Sequence, residues 1–541
     1  MMTTAALPRP KPPRAAPTAH SSGFPDTPML RLRTALPLAV IAGILLDLST
    51  PDVGWWPLAF ISVALSLATL IGRSIGGALV VGLLFGASFY TLHLAWVGQF
   101  LGPVPRLALS GLETLLFGLG TIPLALAYRW TRRPPRRGAI QLVLVSVMIG
   151  GLWTAREVAV GSWPYSGFPW ARLGMTQVNG PFPEVASWIG ITGLSFLVAT
   201  TSAALVQWIR AGGLTFPQGS LFPVVVIGVL AVTPQFPTTS AGTFTIGWVQ
   251  GNGPSGYFDD KAPGDILRAY SSATAPLYGK PMDLIVWPEG AVDSDPLRDR
   301  DTATRLDQIA TTAGAPLLVN AATTRGEKTF NTSILWKPDA DKPQLHDKVN
   351  PVPFGEYVPD RWLYEKIAPD LVGLIQREYT PGTNPPIVTV GTTRVGLAIC
   401  FDVIFDDVIR TGIESGAELF VFQTNNADFR GSDENLQQLA FARMRAIETG
   451  RTVINISTVG TSQVIDPAGT TVDTIGVDVA AANITTVPLR TGLTAGVVLG
   501  SWLSRLVPVA ALVLVATAGF VDLRRRKPDR RPHPLKRRIT P

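Results

Sequence analysis

Three residues of this sequence have side chains suited to acyl transfer: Cys400, Glu289 and Lys348. Each stands where an apolar run gives way to turn formers. Cys400 ends VGLAIC, Glu289 follows LIVW and Pro288, and Lys348 lies within LHDKVNPVPFGEYVP. Layered α/β folds build their sites from polar groups at the ends of buried strands. A cysteine thiolate supplies a nucleophile, a carboxylate takes the thiol proton, and an ammonium stabilises an oxyanion. Passing through a thioester splits one difficult step into two easier ones. Each residue also has a plainer use on its own. Cysteine packs as a small hydrophobe, a glutamate caps a turn, and a lysine sits solvated in a loop. Cys400 is the single cysteine, and His20, His93, His346 and His533 show no ligand spacing. No intrachain disulfide can form, and no metal is expected.

The segment that carries these residues alternates strand-like and helix-like runs. TFTIGWVQGN, DLIVWPE, APLLVNA, NTSILW, VGLAICFD, LFVFQTN and TVINIS are short and rich in apolar or β-branched residues. ENLQQLAFARMRAIET, over 434–449, reads as a helix. This alternation points to a layered α/β fold. Neither a 20–50-residue repeat nor a GxxxxGKS-type phosphate loop is present.

The rest of the chain is different in kind. Of 541 residues, 46% are hydrophobic and only 16% charged, and mean hydropathy is +0.27. Soluble proteins carry about a quarter charged residues. The deficit is concentrated in 34–234 and 494–521, whereas 243–488 reads as a water-facing domain. Eight candidate spans lie near 34–50, 54–71, 75–98, 107–128, 139–158, 187–209, 219–234 and 494–521. Crossing takes about 20 apolar residues, so the first, second and seventh are short.

Basic residues crowd Arg129–Arg137 and Arg524–Arg538, beside apolar segments. That reads as a topology signal rather than a nucleic-acid surface. With the N-terminus inside, Arg73, the Arg129 run, Arg210 and the basic tail fall inside, while the outer loops carry only Arg106 and Arg172. Seven spans then place 243–488 outside. The expected plan is a disordered tail over 1–30, a seven-helix membrane domain over 31–235, the α/β domain over 243–488, a last span over 494–521, and a basic tail over 522–541. The outer loop 161–186 is dense in Trp, Tyr, Phe, Pro and Gly, as suits a membrane interface. Asp47, Glu113 and Glu157 read as isolated acids within the apolar part.

WPEG, DKxxPVPFGEYVP and GLAICFD, in this order, resemble the nitrilase superfamily. More narrowly, PVPFGEYVP and the flanking spans resemble the apolipoprotein N-acyltransferase family. The resemblance extends over nearly all of the chain beyond residue 30. It implies an α-β-β-α sandwich on the extracytoplasmic face of a cell membrane. It assigns Glu289 as general base, Lys348 as oxyanion stabiliser, Cys400 as nucleophile, and Glu356 as an essential second carboxylate. The Phe401 N–H is an implied oxyanion donor. Tyr257, Phe258 and Phe429 are candidate lipid contacts. The helix with Arg445 and Glu448 also resembles the family and reads as a structural, salt-bridged helix.

Two positions depart from the family pattern. Phe401–Asp402 stand where many members have Tyr-Glu, and Asp428 interrupts TNNADF, with Phe429 as the substitute aromatic. The implied reaction moves an acyl chain from a membrane phospholipid, through a thioester, to the α-amine of a diacylated apolipoprotein, with no cofactor. A membrane-tethered amidase would share the triad. A transporter or receptor with a nitrilase-like binding domain would not depend on Cys400. Some related proteins are fused to, or partnered with, a polyprenyl-phosphate mannosyl transferase; no segment after the last span reads as one.

Overall fold

A computed structural model describes residues 27–131, 139–213 and 221–526. The expectations for residues 1–26, for the inner basic run beyond Thr131 and for the tail beyond Arg526 lie outside the described residues.

The apolar part forms helices α1 (Leu32–Asp47), α2 (Pro57–Leu70), α3 (Ile75–His93), α4 (Val97–Leu101), α5 (Pro103–Trp130), α6 (Ala139–Val160), α7 (Ala186–Ala211) and α8 (Leu221–Val232). Local signals set their starts. Pro57 opens α2, where its missing N–H costs nothing. Ser74 caps α3 by accepting from the Gly77 N–H at 3.2 Å. Helices α3, α5, α6 and α7 are long and apolar enough to cross a membrane, as is the C-terminal helix described below. Helices α1, α2 and α8 have only 16, 14 and 12 residues. Among the described residues five helices have the length to cross a membrane on their own, and α1, α2 and α8 are shorter apolar helices, so helix length does not confirm the eight spans expected. Apolar composition hides the breaks: the run read as 75–98 ends its helix at His93 and restarts as α4.

The three acids are not isolated, which corrects the sequence reading. Asp47 faces His93 at 3.7 Å. Glu157 faces Arg156 at 3.7 Å and accepts from the Trp153 indole at 3.0 Å. Glu113 is buried beside Tyr90, within reach of Arg156. Asp47 and Glu113 find their partners on other helices, which linear spacing conceals, whereas Glu157 is paired within α6.

The α/β part contains β1 (Thr239–Gln250), α9 (Asp265–Thr274), β2 (Leu284–Val286), α10 (Arg300–Ala313), β3 (Leu317–Arg325), β4 (Lys328–Trp336) and β5 (Gln344–Asp347). The short helices α11 (Arg361–Ile367) and α12 (Pro369–Leu374) follow, then β6 (Ile387–Val390), β7 (Thr393–Ile399), α13 (Asp406–Glu414), β8 (Leu419–Thr424) and α14 (Glu434–Thr449). Strands β9 (Val453–Ser457), β10 (Ser462–Ile465), β11 (Thr471–Ile475) and β12 (Ala481–Thr491) complete two six-stranded sheets. Their orders are β12-β1-β2-β3-β4-β5 and β11-β10-β9-β8-β7-β6. The central pairs β1/β2/β3 and β7/β8/β9 are parallel, and the outer pairs antiparallel. Parallel strands are covered on both faces, and β8 (LFVFQT) is buried at every residue.

Trp248, Val286, Leu397, Val421 and Ile454 pack between the sheets. Helices α9 and α10 cover the outer face of the first sheet. On the second sheet, Phe420, Phe422, Phe441 and Met444 belong to one apolar cluster with Trp170, Ala186 and Ile191 of the helix bundle. The α14 layer thus lies between sheet and bundle. Helix α15 (Ala495–Arg526) returns beside α6 and α7. Gly190 bends α7 with φ +71°, and a Cβ there would meet Gly500 of α15 at 3.0 Å and Glu448 at 3.2 Å. Only glycine fits this bend and approach.

Candidate active site

The three chemistry-bearing residues leave the C-terminal ends of different strands. Glu289 lies three residues past β2, Lys348 directly past β5, and Cys400 directly past β7. The structure brings Glu289, Lys348 and Glu356 into contact. The buried Lys348 Nζ is 3.1 Å from Glu289 Oε1 and 2.8 Å from Glu356 Oε2. A buried ammonium persists only when paired in this way.

Asn331 on β4 completes the cluster, and sequence reasoning missed it. Its Nδ2 donates to Glu289 Oε1 at 2.7 Å and to Glu356 Oε1 at 3.0 Å. Asn320 on β3 fixes that amide by donating to Asn331 Oδ1 at 2.8 Å, and it accepts the Gly290 N–H at 2.7 Å. Gln423 ties the two sheets together nearby, accepting from Ser333 and donating to the Trp287 carbonyl at 2.6 Å. Uncharged amides inside strands carry no motif, which is why they escaped notice.

Cys400 opens a 3-10 turn, Cys400–Ile404, with φ +49°. A left-handed non-glycine residue is uncommon and costs conformational energy. The cysteine is half-buried. Burial chiefly, and Glu289 next, push its thiol well above its ordinary value, while Lys348 opposes them. Burial also raises Glu289, which makes it a stronger base than a solvated carboxylate, and Lys348 draws it back. Burial acts to lower Lys348, but Glu289 and Glu356 hold its pKa well above the ordinary value. At neutral pH the thiol is therefore protonated and Lys348 is a fixed cation beside Glu289.

The residues after Cys400 have definite places. Asp402 is buried and accepts from the Val349 N–H at 3.1 Å, the Asn350 N–H at 2.8 Å and Asn350 Nδ2 at 3.0 Å. It therefore ties the loop after Lys348 to the turn after Cys400. Phe401 stacks on Phe168 of the 161–186 loop, with centroids 6.0 Å apart. From there aromatic contacts run through Trp170 and Trp96 to Phe429. Phe100 of α4 then joins Phe429 to Tyr257 and Phe258. Tyr257 and Phe258 are exposed. Asp428 accepts the Tyr257 N–H at 2.7 Å, so the unexpected carboxylate fastens that loop. Trp96 was absorbed into the span read as 75–98, and Phe100, just past its end, had no separate signal. Among the described residues, no group of three or more His, Cys, Asp or Glu could hold a metal ion.

Two mixed sheets between helical layers, with these groups at the strand ends, define a carbon–nitrogen hydrolase fold joined to a helix bundle. A family model described as carbon-nitrogen hydrolase matches residues 246–490, and one described as apolipoprotein N-acyltransferase N-terminal domain matches residues 42–204. The apolipoprotein N-acyltransferase of Mycolicibacterium smegmatis is 30% identical over 470 residues, covering 80% of this chain and 76% of its own length. That of Geobacter metallireducens is 29% identical over 472 residues, covering 82% and 88%. The chain belongs to the apolipoprotein N-acyltransferase family, and it is a membrane protein. Among solved structures, a CN-hydrolase superfamily protein from Xanthomonas campestris is 20% identical, with a TM-score of 0.35, covering 50% of this chain and 97% of its own.

Proposed function

We propose that this chain transfers an acyl group from a membrane phospholipid, through a thioester on Cys400, to the free α-amine of a diacylated apolipoprotein. Glu289 takes the thiol proton and the sulfur attacks the ester carbonyl. The oxyanion forms beside the Lys348 ammonium and the Phe401 N–H. The tetrahedral intermediate collapses, and the departing lysophospholipid oxygen recovers the proton from Glu289. In the second half, the amine attacks the thioester, Glu289 takes a proton from it, and the thiol is restored as the amide forms. Glu356 holds Lys348 in place, and Asp402 holds its loop. Tyr257, Phe258 and Phe429 form the lipid-contacting end of the aromatic series.

One observation carries this reading. The layer that bears the cysteine's neighbours shares its apolar core with the helix bundle, which a hydrolase of small soluble amides has no use for. With the short apolar helices α1, α2 and α8 counted as spans beside α3, α5, α6 and α7, the basic residues fall in inner loops, which supports an extracytoplasmic catalytic domain. The division into a membrane domain over 31–235, a catalytic domain over 243–488 and a last span over 494–521 accompanies it.

The test is intact-mass measurement of the full chain in detergent. With phospholipid, the mass should rise by one acyl group, mapping to the peptide that contains Cys400, the only cysteine. Adding a diacylated lipopeptide should remove the adduct and yield an N-acylated product. A chain that never takes up an acyl group yet cleaves small amides would replace this function with an amidase.

Helices α11 and α12 suggest how water is kept from the thioester. Trp362 and Ile367 are 65% and 67% exposed. The Tyr165 hydroxyl donates to Asp360 at 3.0 Å and lies 3.3 Å from the Tyr364 hydroxyl, which fastens this segment to the 161–186 loop. Exposed apolar side chains beside a membrane domain suit an interface. Substituting Trp362 and Ile367 together by aspartate should shorten the thioester lifetime severalfold, read as loss of the acyl adduct without acceptor. An unchanged lifetime would remove this segment from the water barrier.

A further inference from the structure

Cys400 has a polar neighbour that the scheme above leaves unused. Gln438, buried on α14, donates from Nε2 to Cys400 Sγ at 3.4 Å. Its orientation is fixed from behind. Gln438 Oε1 accepts from Asn426 Nδ2 at 3.0 Å. Asn426 Nδ2 also donates to Glu434 Oε2 at 2.7 Å. Asn426 Oδ1 is occupied as well, accepting from Ser457 Oγ at 2.5 Å and from Thr424 Oγ1 at 3.3 Å. With its oxygen so held, Gln438 turns its amide hydrogens toward the sulfur.

A neutral thiol is a weak acceptor, whereas hydrogen bonds to an ionised partner are roughly twice as strong as neutral ones. The contact therefore strengthens when the thiol loses its proton. An interaction that gains strength along the reaction path accelerates it.

We propose that Gln438 is a catalytic residue: its amide stabilises the Cys400 thiolate as Glu289 removes the proton, and again as the thioester is broken. Asn426 and Glu434 are positioning residues that act through it. The inference rests on the reading of Cys400 as the acyl carrier. Glu434 is compatible with an anion nearby: burial, chiefly, pushes its carboxyl up to about 8, so it is mostly uncharged at neutral pH.

Because Cys400 is the only cysteine, its ionisation is readable as the pH profile of iodoacetamide alkylation on the full chain in detergent. Gln438→Leu should raise the midpoint by about one pH unit and slow acyl-adduct formation about tenfold at neutral pH. Gln438→Glu keeps the shape but replaces the donor with a carboxyl group, and should raise the midpoint further still. A merely structural glutamine predicts unshifted profiles. Coincident profiles for wild type and both variants, at unchanged thermal midpoints, overturn the proposal. If one variant fails to fold, the other decides in the same way. A chain that shows these shifts but never accepts an acyl group would sink the acyl-carrier reading and leave the Gln438–thiolate contact standing.

Discussion

Lys348→Met is expected to lower the rate of thioester formation by a factor of about 10² to 10³ and to destabilise the chain at the same time. The ammonium is the shared counter-ion of Glu289 and Glu356. Removing one partner of a buried ion pair typically costs about 3–5 kcal/mol, because the remaining charge has no solvent to turn to. The pH dependence has a definite sign. Glu289 must be ionised to act as base. Burial raises its pKa above the ordinary 4.5, and Lys348 is the largest influence that lowers it. In the wild type the first half-reaction should therefore rise with pH through a midpoint above that value. In Lys348→Met the same limb should move to still higher pH. Stability follows a matching course. The lysine's folded pKa lies well above 10.5, so its stabilising effect is present at neutral pH and is lost only as pH rises through that raised value. The stability gap between wild type and variant should shrink as pH falls through the Glu289 titration, because a protonated carboxyl no longer needs the cation. Adduct formation by intact mass and thermal unfolding in detergent, each across pH, check both limbs. A variant forming adduct within tenfold of wild type would remove Lys348 from the mechanism.

The sequence made the central strands and their polar ends legible for one reason: those strands are buried on both faces and read as unbroken apolar runs. The runs LFVFQTN, VGLAICFD and TVINIS became β8, β7 and β9, and 434–449 became α14. Strands β5, β6, β10, β11 and β12 were invisible, because QLHD, IVTV and TVDTI mix polar and apolar residues as outer antiparallel strands do. Cys400 and Glu289 were readable because each follows such a run, whereas Lys348, after the mixed strand β5, was readable from the DKxxPVPFGEYVP motif around it. Their supports were not. Asn331, Asn320, Gln438 and Asn426 act through geometry between elements distant in sequence, and neutral amides leave no pattern. The membrane count is less legible for a related reason. Hydropathy measures composition, whereas a crossing also needs helix length, and α1, α2 and α8 are described as helices of only 16, 14 and 12 residues.

The helix carrying Arg445 and Glu448 was read as salt-bridged, and its pair is 2.6 Å apart; the partners beyond the helix give it a larger task. Arg445 is fully buried and also reaches Asp406 at 2.8 Å. Its Nε and Nη2 donate to the Val403 and Ile404 carbonyls, each at 3.0 Å, within the turn that starts at Cys400. Arg172, from the aromatic loop, holds the same Asp406 at 2.6 Å. Glu448 accepts the Ile191 N–H at 3.2 Å, a backbone donor next to the bend at Gly190 in α7. One guanidinium thus joins the turn that starts at Cys400 to a kinked helix of the bundle. Arg445→Met removes that cation and both carbonyl anchors while keeping much of the volume. It should cost about 3–5 kcal/mol, since Glu448 would be left buried without its cation. Arg445→Lys should be intermediate, because an ammonium keeps the charge but lacks the planar fork that reaches two carbonyls and two carboxylates together. Thermal unfolding in detergent should rank wild type, lysine and methionine in that order, and adduct formation should decline in the same order, because the turn that presents Cys400 loosens with the clamp. If the methionine variant melts with the wild type, the buried network is redundant and the cysteine turn is held by its strand and by Asp402 alone.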